Sequence, residues 1–205
     1  MPNKNRDLHG SAPDKSGVAL LLIDVINDFD FDEADQLLRY ARPMAEQLAA
    51  LKTRAKQADI PVIYVNDNFG RWRSDFNAQV EHCLADGMRG KQVVELLRPE
   101  NDDYFVLKPK HSGFFSTSLD ILLEYLEVQT LVLTGLATNI CVLFTANDAY
   151  MRDFRLVVPQ DCSAANTQED HEYAMSQIAD VLKADTRPST EIDLDKLRRS
   201  VGQEA

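Results

Sequence analysis

Short apolar runs alternate with longer helix-patterned stretches along almost the whole chain, and this alternation limits the fold more than any other feature. The runs lie near residues 18–24, 61–66, 104–107, 130–134 and 155–159, and the helical patterns near 33–58, 74–84, 91–98, 116–127, 138–151 and 167–178. Strands separated by helix-length connections pair in parallel, because a tight hairpin cannot join parallel neighbours. Parallel strands are buried on both faces, and this is why Val18-Ala19-Leu20-Leu21-Leu22-Ile23 is continuously apolar rather than alternating. The pattern predicts an α/β fold: a three-layer α/β/α arrangement with a mostly parallel sheet of five to six strands and helices on both faces. A sixth short strand is expected around Ala179 to Leu182, where a brief apolar run is followed at once by charge.

A chain of 205 residues is long enough for one substantial core. Residues 1–16 read as a flexible leader, 17–184 as a single domain, and 185–205, charged and with Pro188 near their start, as a C-terminal tail. The formal charge of −11, with scattered basic residues, argues against a nucleic-acid surface. Small anionic ligands stay open, since a local cation reverses the field of an acidic protein. Cysteines at 83, 141 and 162 form neither a disulfide framework nor a metal-ligand spacing. The segment Met1 to Gly10 lacks an apolar signal core, and no stretch approaches the length of a membrane span. The expectation is a cytoplasmic protein with no membrane partner.

Three chemistry-bearing residues stand at ends of predicted strands. Asp24 closes the first run, Lys108 ends Tyr104-Phe105-Val106-Leu107, and Cys141 follows Thr130 to Thr134 and a glycine turn, where a strand hands over to a helix. In open parallel sheets ligands bind at the carboxyl edge of the strands. A helix start lowers a thiol's pKa and makes the thiolate available as a nucleophile. Each residue has a plainer reading: Cys141 as a small buried hydrophobe, Asp24 as a helix cap, Lys108 as a solvated edge lysine. An acid, a cation and a thiol at the same kind of position together suggest a site.

These residues lie in segments that resemble the isochorismatase-like superfamily of cysteine hydrolases. The segments are Leu21-Leu22-Ile23-Asp24-Val25-Ile26-Asn27-Asp28-Phe29, then Lys108-Pro109-Lys110-His111-Ser112-Gly113-Phe114, then Gly135-Leu136-Ala137-Thr138-Asn139-Ile140-Cys141-Val142, followed by Asp148-Ala149 and Val157-Val158-Pro159-Gln160-Asp161. The resemblance implies that Asp24, Lys108 and Cys141 form a catalytic triad. It further implies an oxyanion hole from the N–H groups of Ala137 and Cys141, and a non-proline cis peptide between Leu136 and Ala137. It also implies a homo-oligomer, a dimer or a tetramer. One departure is Ile26, where many members carry glutamine, so a polar contact usual in the family is missing.

Neither G-x-G-x-x-G after the first strand nor G-x-x-x-x-G-K-[ST] occurs, so the fold is expected to be Rossmann-like without a dinucleotide, and no cofactor is expected. Nicotinamidase-type metal ligands, Asp-x-His plus a further His, are missing after Asp24: no histidine precedes His82, and no catalytic metal is expected. His111 competes as a base for Cys141 but lies in a loop, and a pocket-wall role fits it better. His9, His82 and His171 have no partners at metal spacing and read as surface or capping residues, while Cys83 and Cys162 read as packed.

The loop Asn66-Asp67-Asn68-Phe69-Gly70-Arg71-Trp72-Arg73-Ser74 leaves the second strand at the same edge. Its guanidinium groups and rings suit a small planar carboxylated amide, or else its arginines meet surface acids at a helix start. Phe29, Phe114 and Phe115 are pocket wall or core. The expected substrate contacts are therefore Phe29, Asn68, Arg71, Trp72, Arg73, His111, Phe114 and Thr138. The leading reading is a hydrolase that cleaves a C–N bond of a small carboxamide, carbamoyl or ureido compound through a Cys141 thioester. An isochorismatase-type vinyl-ether hydrolase is the second reading. A non-catalytic small-molecule-binding or thiol-sensing protein on the same scaffold is the third.

Overall fold

A computed structural model describes residues 15–68 and 75–201. The sheet consists of β1 (Val18–Ile23), β2 (Val62–Asp67), β3 (Tyr104–Lys108), β4 (Thr130–Leu136), β5 (Arg155–Val157) and β6 (Ser163–Ala164). Its order is β3-β2-β1-β4-β5, with β6 also on β4, and every pairing is parallel. The helices are α1 (Ala34–Gln57), α2 (Phe76–Leu84), α3 (Lys91–Leu96), α4 (Leu119–Tyr125), α5 (Leu143–Tyr150), α6 (Gln168–Asp180) and α7 (Leu194–Val201).

The period of two along β1 divides the core. Val18, Leu20 and Leu22 pack with residues of α1, α2 and α3, including Leu48, Val80 and Val93. Ala19, Leu21 and Ile23 pack on the opposite face with Leu123, Ala146 and Ile178 of α4, α5 and α6. Both faces of the strand are covered, which is the three-layer arrangement that its uninterrupted apolar sequence requires.

The chain builds outward from β1 through β2 to β3 and then returns to place β4 on the other side of β1. Strand order thus reverses between β1 and β4, and connections leaving the two strands diverge there to open a crevice at their carboxyl ends. Gly135 keeps these strands close. Its φ of +110° is disfavoured for L side chains, and a Cβ built on it would stand 2.1 Å from the Ile23 carbonyl oxygen. Gly135→Ala is expected to lower stability by about 2–3 kcal/mol, measured as a shift in urea midpoint; an unchanged midpoint would show that β1 and β4 can separate freely.

The sixth strand is not at 179–182. Ala179 and Asp180 finish α6, and the extra strand is Ser163–Ala164. Pro159 has no N–H for the ladder, so β5 stops short and leaves the β5 side of the carboxyl half of β4 open. The chain re-enters there: Gly135 N–H donates to the Cys162 carbonyl at 2.9 Å, and β6 pairs with Gly135 and Leu136. Residues 185–201 do not behave as a free tail. Asp185 bridges to Val157, Asp161 accepts from the N–H and hydroxyl of Ser189, and Ile192 and Leu194 are buried against the core. Among the described residues, no helix is long and apolar enough to cross a membrane.

Candidate active site

Asp24 is the first residue beyond β1. Its backbone is left-handed, with φ 52°, a conformation that aspartate tolerates better than most residues. Its N–H donates to the Val65 carbonyl at 3.0 Å, which continues the β1–β2 ladder by one step and aims the side chain along the crevice. One carboxylate oxygen accepts from the Asp67 N–H at 2.7 Å, and the other lies 2.7 Å from Lys108 Nζ. Lys108 ends β3, in register with Asp67 at the end of β2. Its side chain is fully buried, with Nζ also 3.7 Å from an Asp67 carboxylate oxygen and 3.5 Å from Cys141 Sγ. The structure therefore brings Asp24, Lys108 and Cys141 to one point, although 117 positions of sequence separate the first from the last (141 − 24).

The connection after Asp24 is fixed from below. Asn66 is buried, and its side-chain amide both accepts from the Ile26 N–H at 3.1 Å and donates to the Ile26 carbonyl at 2.8 Å. Ile26 itself is fully buried. An apolar side chain here fills core, while Asn66 supplies the polar partners that the backbone needs.

Cys141 lies in a π-helical turn, Thr138–Val142, that precedes α5. The peptide between Leu136 and Ala137 is cis, as the resemblance implied. The wide turn is held by Val142 N–H to the Ala137 carbonyl at 3.2 Å and by Ile140 N–H to the same oxygen at 3.0 Å. Thr145 joins this turn to the loop after β3: its hydroxyl donates to the Cys141 carbonyl at 2.7 Å and accepts from Gly113 N–H at 3.0 Å. That loop delivers His111 to the solvent side of the thiol, with Nδ1 3.9 Å from Sγ and its ring 5.4 Å from that of Phe144.

Burial dominates the electrostatics. It raises the Asp24 carboxyl above the ordinary aspartate range, against the opposing pull of Lys108. Burial also pushes the Cys141 thiol up to about 12, with the Asp24 charge adding to the rise and Lys108 opposing it. The lowering expected from a helix start therefore does not govern this cysteine, and the resting thiol keeps its proton. Burial works to lower the Lys108 ammonium, but the charge and hydrogen bond of Asp24, with the Asp67 charge behind them, oppose it and hold the cation above its usual range. Moving the proton from Sγ to the Asp24 carboxylate relocates one negative charge without changing the total. Lys108 touches both ends of that transfer, so neither state leaves a buried anion unpaired.

The expected substrate contacts divide. His111 stands beside the sulfur. Phe29 is 0% exposed and Phe114 4% exposed, each within a core cluster, so neither has surface to present to a ligand. Thr138 is also 0% exposed, and its hydroxyl meets His171 Nδ1 at 2.9 Å rather than facing the crevice. Asn68 is buried, with its N–H on the Lys108 carbonyl at 3.0 Å. Arg71, Trp72 and Arg73 lie outside the described residues.

Asp67 was not singled out from sequence, and His171, read there as a surface or capping residue, is instead half-buried on α6 against Thr138. Asp67 closes the second apolar run as Asp24 closes the first, a signal that was present; nothing local marks His171 as a partner of Thr138. Cys83 and Cys162 are buried, and burial raises both thiols. No group of three or more His, Cys, Asp or Glu among the described residues could hold a metal ion. A cavity of about 570 Å³ lies between α1 and α6; His171 lines it, whereas Asp24, Lys108 and Cys141 do not.

The chain is similar to known proteins over most of its length. A family model described as the isochorismatase domain matches residues 18–186. The chain is 40% identical over 178 residues to the uncharacterized isochorismatase family protein YaaI of Bacillus subtilis, covering 87% of this chain and 97% of that one. It is 28% identical over 193 residues to the ureidoacrylate amidohydrolase RutB of Acinetobacter baylyi, covering 82% and 78% of the two chains. Among solved structures it is similar to N-carbamoylsarcosine amidase from Thermoplasma acidophilum, with a TM-score of 0.67, 29% identity, and coverage of 86% of this chain and 98% of that one.

Proposed function

This chain belongs to the isochorismatase family, a family of hydrolases, and from that premise we propose that it cleaves a C–N bond of a small carboxamide, carbamoyl or ureido compound through a thioester on Cys141. The observation that carries the reading is the buried Lys108 ammonium, which contacts the Asp24 carboxylate at 2.7 Å and the Cys141 sulfur at 3.5 Å at the rim of the sheet. The ureidoacrylate amidohydrolase and the N-carbamoylsarcosine amidase to which the chain is similar support the substrate class.

In the proposed reaction the Asp24 carboxylate takes the proton of Cys141 as Sγ attacks the carbonyl carbon. The carbonyl π electrons move onto oxygen, which the N–H groups of Ala137 and Cys141 stabilise. As the tetrahedral intermediate collapses, the C–N bond breaks and Asp24 returns its proton to the departing nitrogen. Water then attacks the thioester, giving its proton to Asp24. The C–S bond breaks, the acid is released, and Asp24 reprotonates the sulfur. His111, on the solvent side of the sulfur, contacts the substrate.

The test is hydrolysis of a panel of carboxamides, N-carbamoyl amino acids, ureido acids and an isochorismate-type vinyl ether. Turnover of at least one C–N substrate is expected, with a covalent mass adduct on Cys141. Cleavage of the vinyl ether alone, or no turnover, would sink the proposal. The best substrate also gives a pH test. The base must be ionised, and burial raises its pKa, so kcat/KM falls as pH drops through a value above the ordinary aspartate pKa of about 3.9. An acid limb at or below that value would remove Asp24 from the role of base.

A further inference from the structure

We propose that His171 is a positioning residue for the reaction, holding through the Thr138 hydroxyl the turn that presents the Ala137 and Cys141 N–H groups. The inference rests on the hydrolase reading above.

Thr138 opens the π-helical turn directly after Ala137, the place where a threonine would ordinarily turn its hydroxyl back onto local backbone. Here the side chain is fully buried and its oxygen lies 2.9 Å from Nδ1 of His171, 33 residues along the chain on α6. Burial lowers the ring's pKa, which favours its neutral form. A neutral imidazole has one N–H and one lone pair. The Thr138 hydroxyl therefore pairs with Nδ1 in either tautomer, donating to its lone pair or accepting from its N–H. The contact ties α6 to the turn that carries Cys141.

The turn needs such a tie. A π-helical turn closes through a five-residue step and is rarely sustained beyond a single turn, here through Val142 N–H on the Ala137 carbonyl. The groups assigned to the oxyanion hole sit on either side of Thr138, so a small rotation of this residue displaces both from the developing negative charge. Donors misplaced by a fraction of an ångström lose transition-state stabilisation while ground-state binding changes little.

The experiment compares Thr138→Val, which keeps shape and loses the hydroxyl, with His171→Leu, His171→Asn and the Thr138→Val/His171→Leu double variant, using the best panel substrate. Thr138→Val and His171→Leu are each expected to lower kcat about 10- to 30-fold with KM within about two-fold. The double variant is expected to fall no further than the worse single by more than about two-fold, because both remove the same contact. The Asn side-chain oxygen can occupy the place of Nδ1, so His171→Asn should return kcat to within about three-fold of wild type.

Amide hydrogen exchange across Thr138 to Val142 needs no substrate and should quicken about five-fold or more, alike in both single variants. If the wild-type protein turned over no panel compound, the hydrolase reading would fail and exchange alone would decide whether the contact holds the turn. Unchanged exchange, losses in kcat that multiply in the double variant, an effect confined to KM, or no rescue by asparagine would each overturn the positioning role.

Discussion

Cys141→Ala is expected to reduce turnover by about 10⁴-fold or more and to abolish the covalent mass adduct, while changing stability by less than about 1 kcal/mol. The asymmetry follows from placement. Cys141 is only partly buried, so truncating it leaves little void, whereas no neighbouring side chain can replace its sulfur as a nucleophile. Asp24→Asn sharpens the test by separating nucleophile from base. The Asp24 charge raises the Cys141 thiol and the Lys108 charge lowers it. Removing the first while keeping the second eases ionisation of the thiol. Alkylation of Cys141 by iodoacetamide should therefore become faster at a fixed pH near neutrality, even though turnover is lost. Slower alkylation in Asp24→Asn, or persistent turnover in Cys141→Ala, would contradict the assigned roles.

Lys108→Met is expected to destabilise the fold by about 3–5 kcal/mol, a large effect for one residue of an edge strand, because it leaves the buried Asp24 carboxylate without its cation. The pH dependence has a definite sign. Lys108 lowers the Asp24 pKa against the larger effect of burial, so its loss moves that pKa further up. A carboxyl with a raised native pKa favours the folded state below its unfolded value of about 3.9, and that contribution disappears as pH rises through the native value. The deficit should therefore grow from pH 4 to pH 7, measured by urea denaturation with an unchanged m value. Adding Asp24→Asn to Lys108→Met should recover most of the lost stability and none of the activity. A Lys108→Met protein as stable as wild type at pH 7 would show that the ion pair is not desolvated.

The sheet was legible because parallel strands buried on both faces leave uninterrupted apolar runs, and Val18–Ile23 is the clearest of them. Asp24, Lys108 and Cys141 were legible for a related reason: Asp24 and Lys108 directly follow such a run and Cys141 follows the turn after one, all at the edge where parallel sheets bind ligands. What sequence did not convey depends on distance or on burial. Phe29 and Phe114 lie a few positions beyond Asp24 and His111 in the chain, yet their side chains turn into the core. The pairing of β6 with β4 follows from Pro159 ending β5 early, a consequence visible only once the length of β4 is known. Residues 185–201 are charged enough to read as a tail, and Ile192 and Leu194 suffice to dock them. The raised thiol of Cys141 reflects burial beside an anion, which no local motif records.

β3 lies at the border of the sheet, and among the described residues β2 is its ladder partner. Its last residue nevertheless supplies the cation on which both other members of the cluster depend. Peripheral strands open at lower free energy than central ones, so the chemistry of this molecule is tied to one of its less securely anchored segments. Fraying of that single margin would silence the protein while β1, β4 and the helices around them stayed intact, and heat or denaturant should extinguish activity before the rest of the structure gives way.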